Sequence, residues 1–319
     1  MAILLLETVH PDAHAVLAEQ GEVILAETAE AALAAAHTGN VQAILTRGKG
    51  KITRELMQAC GSSLKAVCRC GAGVDTVDVA AAHEMGLKVI YAPGINAMTV
   101  AEHTLMLMLA ITRKAFMLAR EVKAGNWAVR NGYEGVELRG KTLGVIGLGH
   151  IGREVAQRAQ AFGMRVMFFN RSHKTTLLRS GDDGRQTTFE EVLGESDVIS
   201  VHVPLNTSTT QLINASSFEQ MKRGAFLINT SRGAVIDKAA LKEAMAHGTL
   251  AGFAGDVFDP QPPTSDDMAF VNDDRVILTP HVGGLTDNAF REVCLYCAEN
   301  VLAVVRGGEP EQKSVLGYG

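Results

Sequence analysis

Three glycines with the spacing G-x-G-x-x-G follow a short apolar stretch of the chain. Residues 143–146 read Leu-Gly-Val-Ile, as expected for a buried strand, and run directly into Gly147, Gly149 and Gly152 and a helical stretch. In this context the first glycine permits a tight turn, the second lets a pyrophosphate approach the backbone, and the third lets the helix pack closely on the strand. Phosphates would bind the N–H groups at the start of the helix. The motif therefore predicts a dinucleotide-binding turn.

The next predicted strand ends at Phe169 and is followed by a polar and basic segment. An acidic residue at this strand end would accept hydrogen bonds from the adenosine ribose and repel a 2′-phosphate, but the residue here is Asn170. Arg171 and Lys174 can pair with that phosphate, and Ser172 can add a hydrogen bond. We expect NADP(H) to be preferred, with NAD(H) possible. A basic loop exposed to solvent is the alternative interpretation.

Strand and helix patterns alternate along the chain. The strands and helices that they predict must position the glycine-rich turn and the polar segment. Asp78 and Asp237 are expected to cap helices. Capping-box spacing occurs in three pairs: Thr99 with Glu102, Thr188 with Glu191, and Ser216 with Glu219. The predicted strands between helices are 43–46, 66–69, 89–91, 143–146, 166–169, 198–203, 225–229, 252–257 and 276–279. Such strands, apolar at nearly every position, are typical of parallel sheets covered by helices on both faces, so the fold class is predicted to be α/β.

Length, charge and hydropathy exclude several classes of protein. A chain of 319 residues suggests two domains at about 150 residues each. The net charge of 30 − 35 = −5 argues against a nucleic-acid binder. The longest apolar stretch, Thr104–Ile111, is far shorter than the ~20 residues that span a bilayer. The apolar N-terminus ends at Glu7 without a preceding basic residue, which predicts a buried first strand rather than a signal peptide.

The chain has five cysteines, an odd number. Because nothing marks secretion, we expect free thiols and a cytoplasmic location. Cys68 and Cys70 form C-x-C, and Cys294 and Cys297 form C-x-x-C, a set that would in principle make a four-thiolate zinc site. Both pairs lie in apolar surroundings, which favours buried thiols without a metal.

Seven segments in a fixed order carry a resemblance to a known family. They are Gly71–Asp75, Asn96 with Thr99–His103, Gly147–Gly152, Val203–Leu205, Asn229–Gly233, Gly255–Phe258 and Thr279–His281. With them, residues 64–286 resemble the D-isomer-specific 2-hydroxyacid dehydrogenases. The resemblance implies two Rossmann-like domains with parallel sheets, in which a dinucleotide-binding domain, 99–284, is inserted into a flavodoxin-like substrate domain, 1–98 plus 285–319. It also implies hydride transfer between a nicotinamide cofactor and a small 2-hydroxyacid or 2-oxoacid.

The resemblance implies roles for individual residues. Arg232 is similar to the arginine that binds the substrate carboxylate and 2-oxygen, a task that suits a permanently charged fork. His281, in the context Thr-Pro-His-x-Gly-Gly, is similar to the general acid/base. Backbone N–H groups of Ala72 and Gly73 would hold the carboxylate, and Asn96 would reach either substrate or cofactor. Taken alone, the arginine could cap a helix and the histidine could be one of ten structural histidines.

The remaining implied contacts concern the cofactor and assembly. Asp256 would orient the nicotinamide amide. The residues expected to bind the cofactor are Thr99, Gly147, Gly149, His150, Ile151, Gly152, Asn170, Arg171, Ser172, Lys174, Pro204, Thr209, Thr230, Ser231, Asp256, Gly283 and Gly284. The family also implies a homodimer whose arm includes Trp127; the Leu- and Met-rich segment 104–120 fits this arm or a buried helix equally well.

One position departs from the family pattern. Most members have a glutamate, followed by proline, that pairs with the catalytic histidine; here the residue is Gln261. A neutral amide can orient the ring but does not stabilise imidazolium, so we expect His281 to have a lower pKa than in typical relatives. Asp259 is an alternative source of the carboxylate. The formate dehydrogenases of the superfamily also have Gln-Pro here, which makes a formate-dehydrogenase-like reaction an alternative function.

The sequence says less about the identity of the substrate. Arg47, Lys49, Lys51 and Arg69 lie in two loops that the family places near the cleft. We expect some of them to hold a second anionic group of the substrate, with an ordinary solvated loop as the alternative. Two further classes remain open: a non-catalytic NAD(P)-sensing protein like the corepressors with this fold, and a relative of alanine dehydrogenase, which the Thr-Pro-His context disfavours.

Overall fold

The computed structural model describes residues 1–172 and 184–317. These residues form two compact units, one of Met1–Asn96 with the segment that begins at Leu285, the other Ala97–Gly284. Each unit is built on a parallel sheet with helices on both faces. The predicted α/β class with two Rossmann-like sheets is therefore confirmed. No helix in the described ranges has both the length and the apolar character needed to cross a bilayer.

The first unit has a five-stranded sheet in the order β2-β1-β3-β4-β5. Its strands are β1 (Ala2–Leu5), β2 (Glu22–Leu25), β3 (Val41–Thr46), β4 (Ala66–Arg69) and β5 (Lys88–Tyr91). Its helices are α1 (Pro11–Ala18), α2 (Ala29–Ala36), α3 (Arg54–Ala59), α4 (Val79–Glu84) and, from the C-terminal segment, α12 (Asp287–Val305). The order 2-1-3-4-5 is that of flavodoxin-like sheets.

Alternate residues of these strands enter two separate cores. Leu4 and Ile44 pack with α2, α3 and α4 on one face, whereas Ile3 and Leu45 pack with α1 and α12 on the other. All four side chains are at most 1 % exposed. Burial on both faces explains why these strands read as continuous apolar runs rather than as alternating ones.

The second unit has a seven-stranded sheet in the order β12-β11-β10-β9-β6-β7-β8. Its strands are β6 (Thr142–Ile146), β7 (Arg165–Phe169), β8 (Arg185–Gln186), β9 (Val198–Val201), β10 (Ala225–Asn229), β11 (Leu250–Gly255) and β12 (Val276–Leu278). Its helices are α5 (Ala97–Thr112), α6 (Ala115–Lys123), α7 (His150–Ala161), α8 (Phe189–Glu195), α9 (Ala215–Gln220), α10 (Lys238–Ala246) and α11 (Met268–Val271). Read from β8, this is the dinucleotide-binding order 3-2-1-4-5-6 with one further strand.

This order places a topological switch between the adjacent strands β6 and β9. From β6 the chain continues to β7 and β8 on one side of the sheet, and from β9 it continues to β10, β11 and β12 on the other side. Helices α5 and α7 cover one face of the sheet, and α8, α9 and α10 cover the other. In sheets of this kind, ligands bind outside the carboxyl ends of the strands at the switch point. The glycine-rich turn follows β6 and therefore lies at that point.

The helix caps show which local predictions were sound. Asp78, Thr188 and Asp237 each cap the helix that was predicted for them. The prediction for Thr99 was wrong, because α5 begins at Ala97 and the threonine lies within its first turn. Ser216 was also assigned wrongly: the cap of α9 is Asn214, whose side chain accepts a hydrogen bond from the amide of Ser217.

Candidate active site

Packing explains two of the three glycines in the turn after β6. Gly147 has φ +96°, and a Cβ there would lie 2.9 Å from the carbonyl carbon and oxygen of His202. A Cβ on Gly152 would lie 2.2 Å from the oxygen of Gly147. Neither position tolerates a side chain, because the turn and the first turn of α7 are pressed against the ends of β6 and β9.

Gly149 is different, because among the described residues a Cβ there would meet no atom within 4 Å. It is the N-cap of α7, and no side chain caps this helix. The first amides of α7, those of His150 and Ile151, are therefore the kind of uncapped N–H groups that bind phosphate at a helix N-terminus. The turn fits a pyrophosphate in shape and in charge.

His202 supports the turn from the end of β9. Its amide donates to the oxygen of Ile146, and its Nε2 lies 2.8 Å from the hydroxyl of Ser200. Burial lowers the pKa of His202 to about 3, because removing the ring from water disfavours imidazolium. This histidine is neutral at ordinary pH and contributes to the shape of the turn rather than to proton transfer.

The loops after β7 and β9 carry further residues predicted to bind the cofactor. The Asn170 side chain donates to the carbonyl (3.0 Å) and hydroxyl (3.1 Å) of Ser172, and Arg171 and Ser172 are exposed. Lys174 lies outside the described residues. In the second loop, the Thr209 hydroxyl donates to the carbonyl of Pro204 at 2.6 Å. The threonine hydroxyl therefore shapes its own loop.

Arg232 follows β10 in a turn that Asn229 shapes. The Asn229 side-chain oxygen accepts from the amide (2.9 Å) and hydroxyl (2.8 Å) of Ser231, while its Nδ2 donates to the carbonyl of Arg232 at 2.9 Å. The arginine Nη1 donates to the carbonyl of Ser231 at 2.8 Å, which orients the guanidinium. The next residue, Gly233, leaves no room for a side chain, because a Cβ there would lie 2.3 Å from the carbonyl carbon of Phe258. The turn with the arginine is thus fixed against the chain segment after β11.

Thr230 is buried and joins this turn to α5. Its hydroxyl lies 2.9 Å from that of Thr104, which is also within 2.7 Å of the carbonyl of Val100. A hydroxyl has one hydrogen to donate. Since Thr104 donates to the carbonyl, Thr230 must donate to Thr104.

Asp256 holds the loop that carries the candidate acid/base. Its Oδ1 accepts from the Thr279 hydroxyl (2.5 Å) and the Val282 amide (2.9 Å), and its Oδ2 accepts from the Gly283 amide (2.7 Å). His103 Nε2 lies 3.4 Å from Oδ1. Burial raises the pKa of Asp256, but the hydrogen bonds from His103, Thr279 and the two amides outweigh it and hold the pKa below its usual range. The carboxylate is charged and acts first as an anchor of this loop.

His281 has a left-handed backbone conformation, with φ +56°. Its amide donates to the carbonyls of Asp256 (2.9 Å) and Thr279 (3.0 Å), which fixes the backbone that presents the exposed ring. Its Nδ1 lies 3.1 Å from Oε1 of Gln261. An amide oxygen only accepts hydrogen bonds, so Nδ1 carries the hydrogen and Nε2 remains to exchange a proton with a ligand.

The first unit places its candidate residues on loops after three adjacent strands. Ala72 and Gly73 follow β4, and the preceding Gly71 accepts a hydrogen bond from the amide of Ala92, just after β5. Further on, Asn96 has a buried Oδ1 with no hydrogen-bond partner among the described atoms. A buried acceptor of this kind is rare in the absence of a ligand or water.

Glu7 holds the loop after β3, a role that the sequence did not predict. Its Oε1 accepts from the amides of Arg47, Gly48 and Lys49 at 2.7–2.9 Å, and Nη2 of Arg47 lies 3.3 Å from its Oε2. Burial raises the pKa of Glu7, but the amides and Arg47 outweigh this effect and lower it overall. The Arg47 guanidinium also lies 5.0 Å from the centre of the Phe290 ring. The charge of Arg47 is therefore largely compensated by groups of the protein itself.

Arg69 lies against both loops of this unit. A Cβ on Gly71 would lie 1.4 Å from Nη1 of Arg69, and one on Gly48 would lie 3.6 Å from Nη2. The pairing of Thr46 with Arg69 across β3 and β4 brings the loops together. The guanidinium of Arg69 thus lies beside the loops after β3 and β4, whereas Arg47 is paired with the buried carboxylate of Glu7.

The loops at the carboxyl ends of the second sheet form one connected group. Gly233, the residue after Arg232, lies against the 258–259 segment. That segment leads to Gln261, whose side chain contacts His281. This edge combines uncapped helix amides, a guanidinium and an imidazole with a defined tautomer. Such a set can bind phosphates and a carboxylate and can transfer a proton.

A family model for the NAD-binding domain of D-isomer specific 2-hydroxyacid dehydrogenases matches residues 105–283, more than half of the chain. The matched region contains the glycine-rich turn, Arg232 and His281.

Known proteins are similar over most of the chain. A hydroxypyruvate reductase of Thermotoga maritima is 39% identical over 82% of this chain and 84% of its own length. A D-3-phosphoglycerate dehydrogenase of Archaeoglobus fulgidus is 40% identical over 83% of this chain and 50% of its own length. The chain therefore spans about half the length of this relative. The structure of a D-lactate dehydrogenase from Aquifex aeolicus, complexed with NAD and lactic acid, superposes with a TM-score of 0.90 over both full chains at 27% identity.

Proposed function

The chain belongs to the D-isomer-specific 2-hydroxyacid dehydrogenase family, and from this membership we propose that it transfers a hydride between a nicotinamide cofactor and a small D-2-hydroxyacid or 2-oxoacid. Glyoxylate, hydroxypyruvate and phosphorylated or doubly anionic relatives are the candidate oxoacids. The single observation that carries the proposal is the Gln261–His281 pair on the segment that packs against the Arg232 turn. This arrangement joins an anion-binding group to a proton-transfer group.

The chain's own residues supply binding and proton transfer. Arg232 binds the carboxylate and 2-oxygen of the oxoacid, with its guanidinium oriented by the carbonyl of Ser231. Nε2 of His281 donates a proton to the 2-oxygen during reduction and accepts it during oxidation. Gln261 holds Nδ1 so that Nε2 is the atom that exchanges the proton. The bound nicotinamide supplies or accepts the hydride.

The cofactor fits the residues that are present. The open side of Gly149 and the uncapped start of α7 would hold the pyrophosphate. The residues after β9 and β10, Pro204, Thr209, Thr230 and Ser231, would line the nicotinamide half, together with Thr99 and the Gly283–Gly284 backbone. Asp256 retains acceptor capacity on Oδ2 beyond its bond from Gly283, which would suit the nicotinamide amide.

A panel of 2-oxoacids assayed with both NADPH and NADH tests the function and the cofactor preference together. Because Asn170 replaces the acidic residue that would repel a 2′-phosphate, we expect kcat/KM to be at least tenfold higher with NADPH, about 1.4 kcal/mol. Asn170→Asp is the matched variant and should shift the preference toward NADH. Absence of turnover with every oxoacid would contradict the function, whereas a clear preference for NADH would contradict only the cofactor assignment.

The same panel tests the role of Arg69. Doubly anionic oxoacids should show a higher KM in Arg69→Ala, because a second charge loses its partner, while KM for glyoxylate should change little. An unchanged KM for every doubly anionic substrate would contradict this role. The alternative functions are tested here too: turnover of formate would favour a formate-dehydrogenase-like reaction, and cofactor binding without any turnover would favour an NAD(P)-sensing protein.

Gln261→Glu is expected to move the pH–rate profile upward. Oε1 of Gln261 lies 3.1 Å from Nδ1, and a carboxylate in its place would stabilise imidazolium and so raise the pKa of the ring. Oxoacid reduction needs the protonated ring, so its decline with rising pH should begin at higher pH. Oxidation needs the neutral ring, so its rise should shift in the same direction.

Asp259→Asn is the control for this shift. If Asp259 supplied the missing carboxylate, its removal would lower the apparent pKa of the wild-type profile. We expect no such change. An unaltered profile in Gln261→Glu would mean that Gln261 is not the partner of the histidine during catalysis.

Assembly and location complete the proposal. Helices α5 and α6 present an apolar groove that includes Met106 and Phe116, and Phe116 and Trp127 are 53% and 68% exposed. This surface fits the dimer arm implied by the family, and sedimentation equilibrium should give a homodimer rather than a monomer.

The five cysteines are free and buried. Free thiols suit a reducing compartment such as the cytoplasm, and cell fractionation can check this location.

A further inference from the structure

The two cysteine pairs converge in the core of the first unit. Cys68 lies in β4 and Cys70 follows two residues later, so both side chains point to the same face of the sheet. Cys294 and Cys297 lie about one turn apart on α12, which packs on β4 from that face. The C-x-C and C-x-x-C motifs, separated by more than 200 residues, therefore face each other.

The thiols are close together as well as buried. The sulfur atoms of Cys68, Cys70 and Cys297 all lie within 4.8 Å of one another. Cys294 lies in the same core cluster, one helical turn from Cys297, and the Cys297 sulfur lies 3.8 Å from the carbonyl of Arg69. All four residues are at most 6 % exposed. Four cysteines of five occupy one small volume.

Cysteines that are buried only as small apolar side chains need not lie close to one another. Cysteine is often buried singly, as Cys60 is in the opposite core of the same unit. A set of three or four sulfurs in apolar surroundings is a soft ligand set, which selects Zn²⁺ or Cu⁺ rather than Mg²⁺ or Ca²⁺. In a tetrahedron with Zn–S bonds of ~2.3 Å the sulfurs lie roughly 3.8 Å apart, so the three sulfurs need to approach one another by at most about 1 Å.

Each of the four residues would bind the ion as a thiolate, because the thiolate is the form of cysteine that binds metal.

We propose that Cys68, Cys70, Cys294 and Cys297 form a binding site for one Zn²⁺ ion, with Cys68, Cys70 and Cys297 as the three principal ligands and Cys294 as the fourth. As each Zn–S bond forms, the S–H bond of that cysteine breaks and its proton passes to solvent. No electron is transferred. The site is independent of the dehydrogenase function, because none of the four residues is placed in substrate or cofactor binding.

Co²⁺ titration of the fully reduced, full-length chain under anaerobic conditions tests the site. We expect one equivalent to bind, with thiolate-to-cobalt charge-transfer bands and the visible bands of tetrahedral Co²⁺, and Zn²⁺ should displace it. Cys297→Ser should weaken binding by more than the about 10–100-fold that loss of a supporting residue costs. Cys60→Ser is the matched control, a buried cysteine outside the cluster, and should bind like the wild type.

Equal loss of binding in both variants, or less than half an equivalent in the wild type, would overturn the proposal. X-ray absorption of the Zn²⁺-loaded wild type keeps the test decisive if Cys297→Ser does not fold. Three or four sulfur neighbours at ~2.3 Å are expected. A first shell of mainly nitrogen and oxygen would overturn the proposal.

Discussion

His281→Asn is expected to lower kcat for oxoacid reduction by about 10²–10⁴-fold, the usual contribution of a general acid or base. The ring is exposed, and its Nδ1 is held by Gln261, so Nε2 is the atom presented to a ligand. Asparagine is the right replacement because, unlike most residues, it tolerates the left-handed backbone at φ +56°. The loop anchored by Asp256 should therefore persist, and steady-state kinetics with NADPH measure the loss.

His247→Asn is the matched control for this variant. His247 is an exposed histidine at the C-terminal cap of α10, and its replacement should leave kcat within about twofold of the wild type. Cofactor affinity, measured by fluorescence titration, should be unchanged in both variants. A kcat for His281→Asn close to that of the wild type would rule out proton transfer by this residue and would favour formate oxidation, which moves no proton from an alcohol oxygen.

Local sequence patterns predicted most of the fold, because strands that are buried on both faces of a sheet are apolar at nearly every position. Ala66–Arg69 and Ala225–Asn229 were predicted with their observed bounds, and both are central strands. The predictions missed Glu22–Leu25, an edge strand with no fully buried residue, and the two-residue strand Arg185–Gln186. Both lie at the edge of their sheets. Glu22–Leu25 has an apolar run of only three residues, and Arg185–Gln186 has no apolar residue.

The residues that support the candidate site could not be predicted in the same way. His103 contacts Thr279 across 176 positions of the chain, and Glu7 binds amides some 40 positions away. Contacts at such separations depend on the packing of the sheet, which no local spacing encodes. Asn229 is the exception: its side chain accepts a hydrogen bond from the amide two residues ahead, a local turn that asparagine favours and that sequence spacing alone can predict.

Arg232→Gln is expected to lower kcat/KM for 2-oxoacids by about 10²–10⁴-fold. The guanidinium would make two charge-assisted hydrogen bonds to the substrate carboxylate and 2-oxygen, each worth about 1.5–3 kcal/mol, and glutamine keeps polarity but not charge. Arg232→Lys should be intermediate. Lysine retains the charge, but its single ammonium cannot present the fork that Arg232 presents while bonded to the carbonyl of Ser231.

Arg223→Gln separates this effect from a general loss of positive charge. Arg223 is exposed and precedes the same strand, β10, at its opposite end, so its replacement should leave kcat/KM within about twofold. Cofactor affinity should be unchanged in all three variants, because Arg232 acts on the oxoacid. A parallel loss of cofactor affinity and kcat/KM in Arg232→Gln would instead mean that the arginine supports the turn after β10, and binding of the oxoacid carboxylate would then have to be assigned to the backbone amides of Ala72 and Gly73.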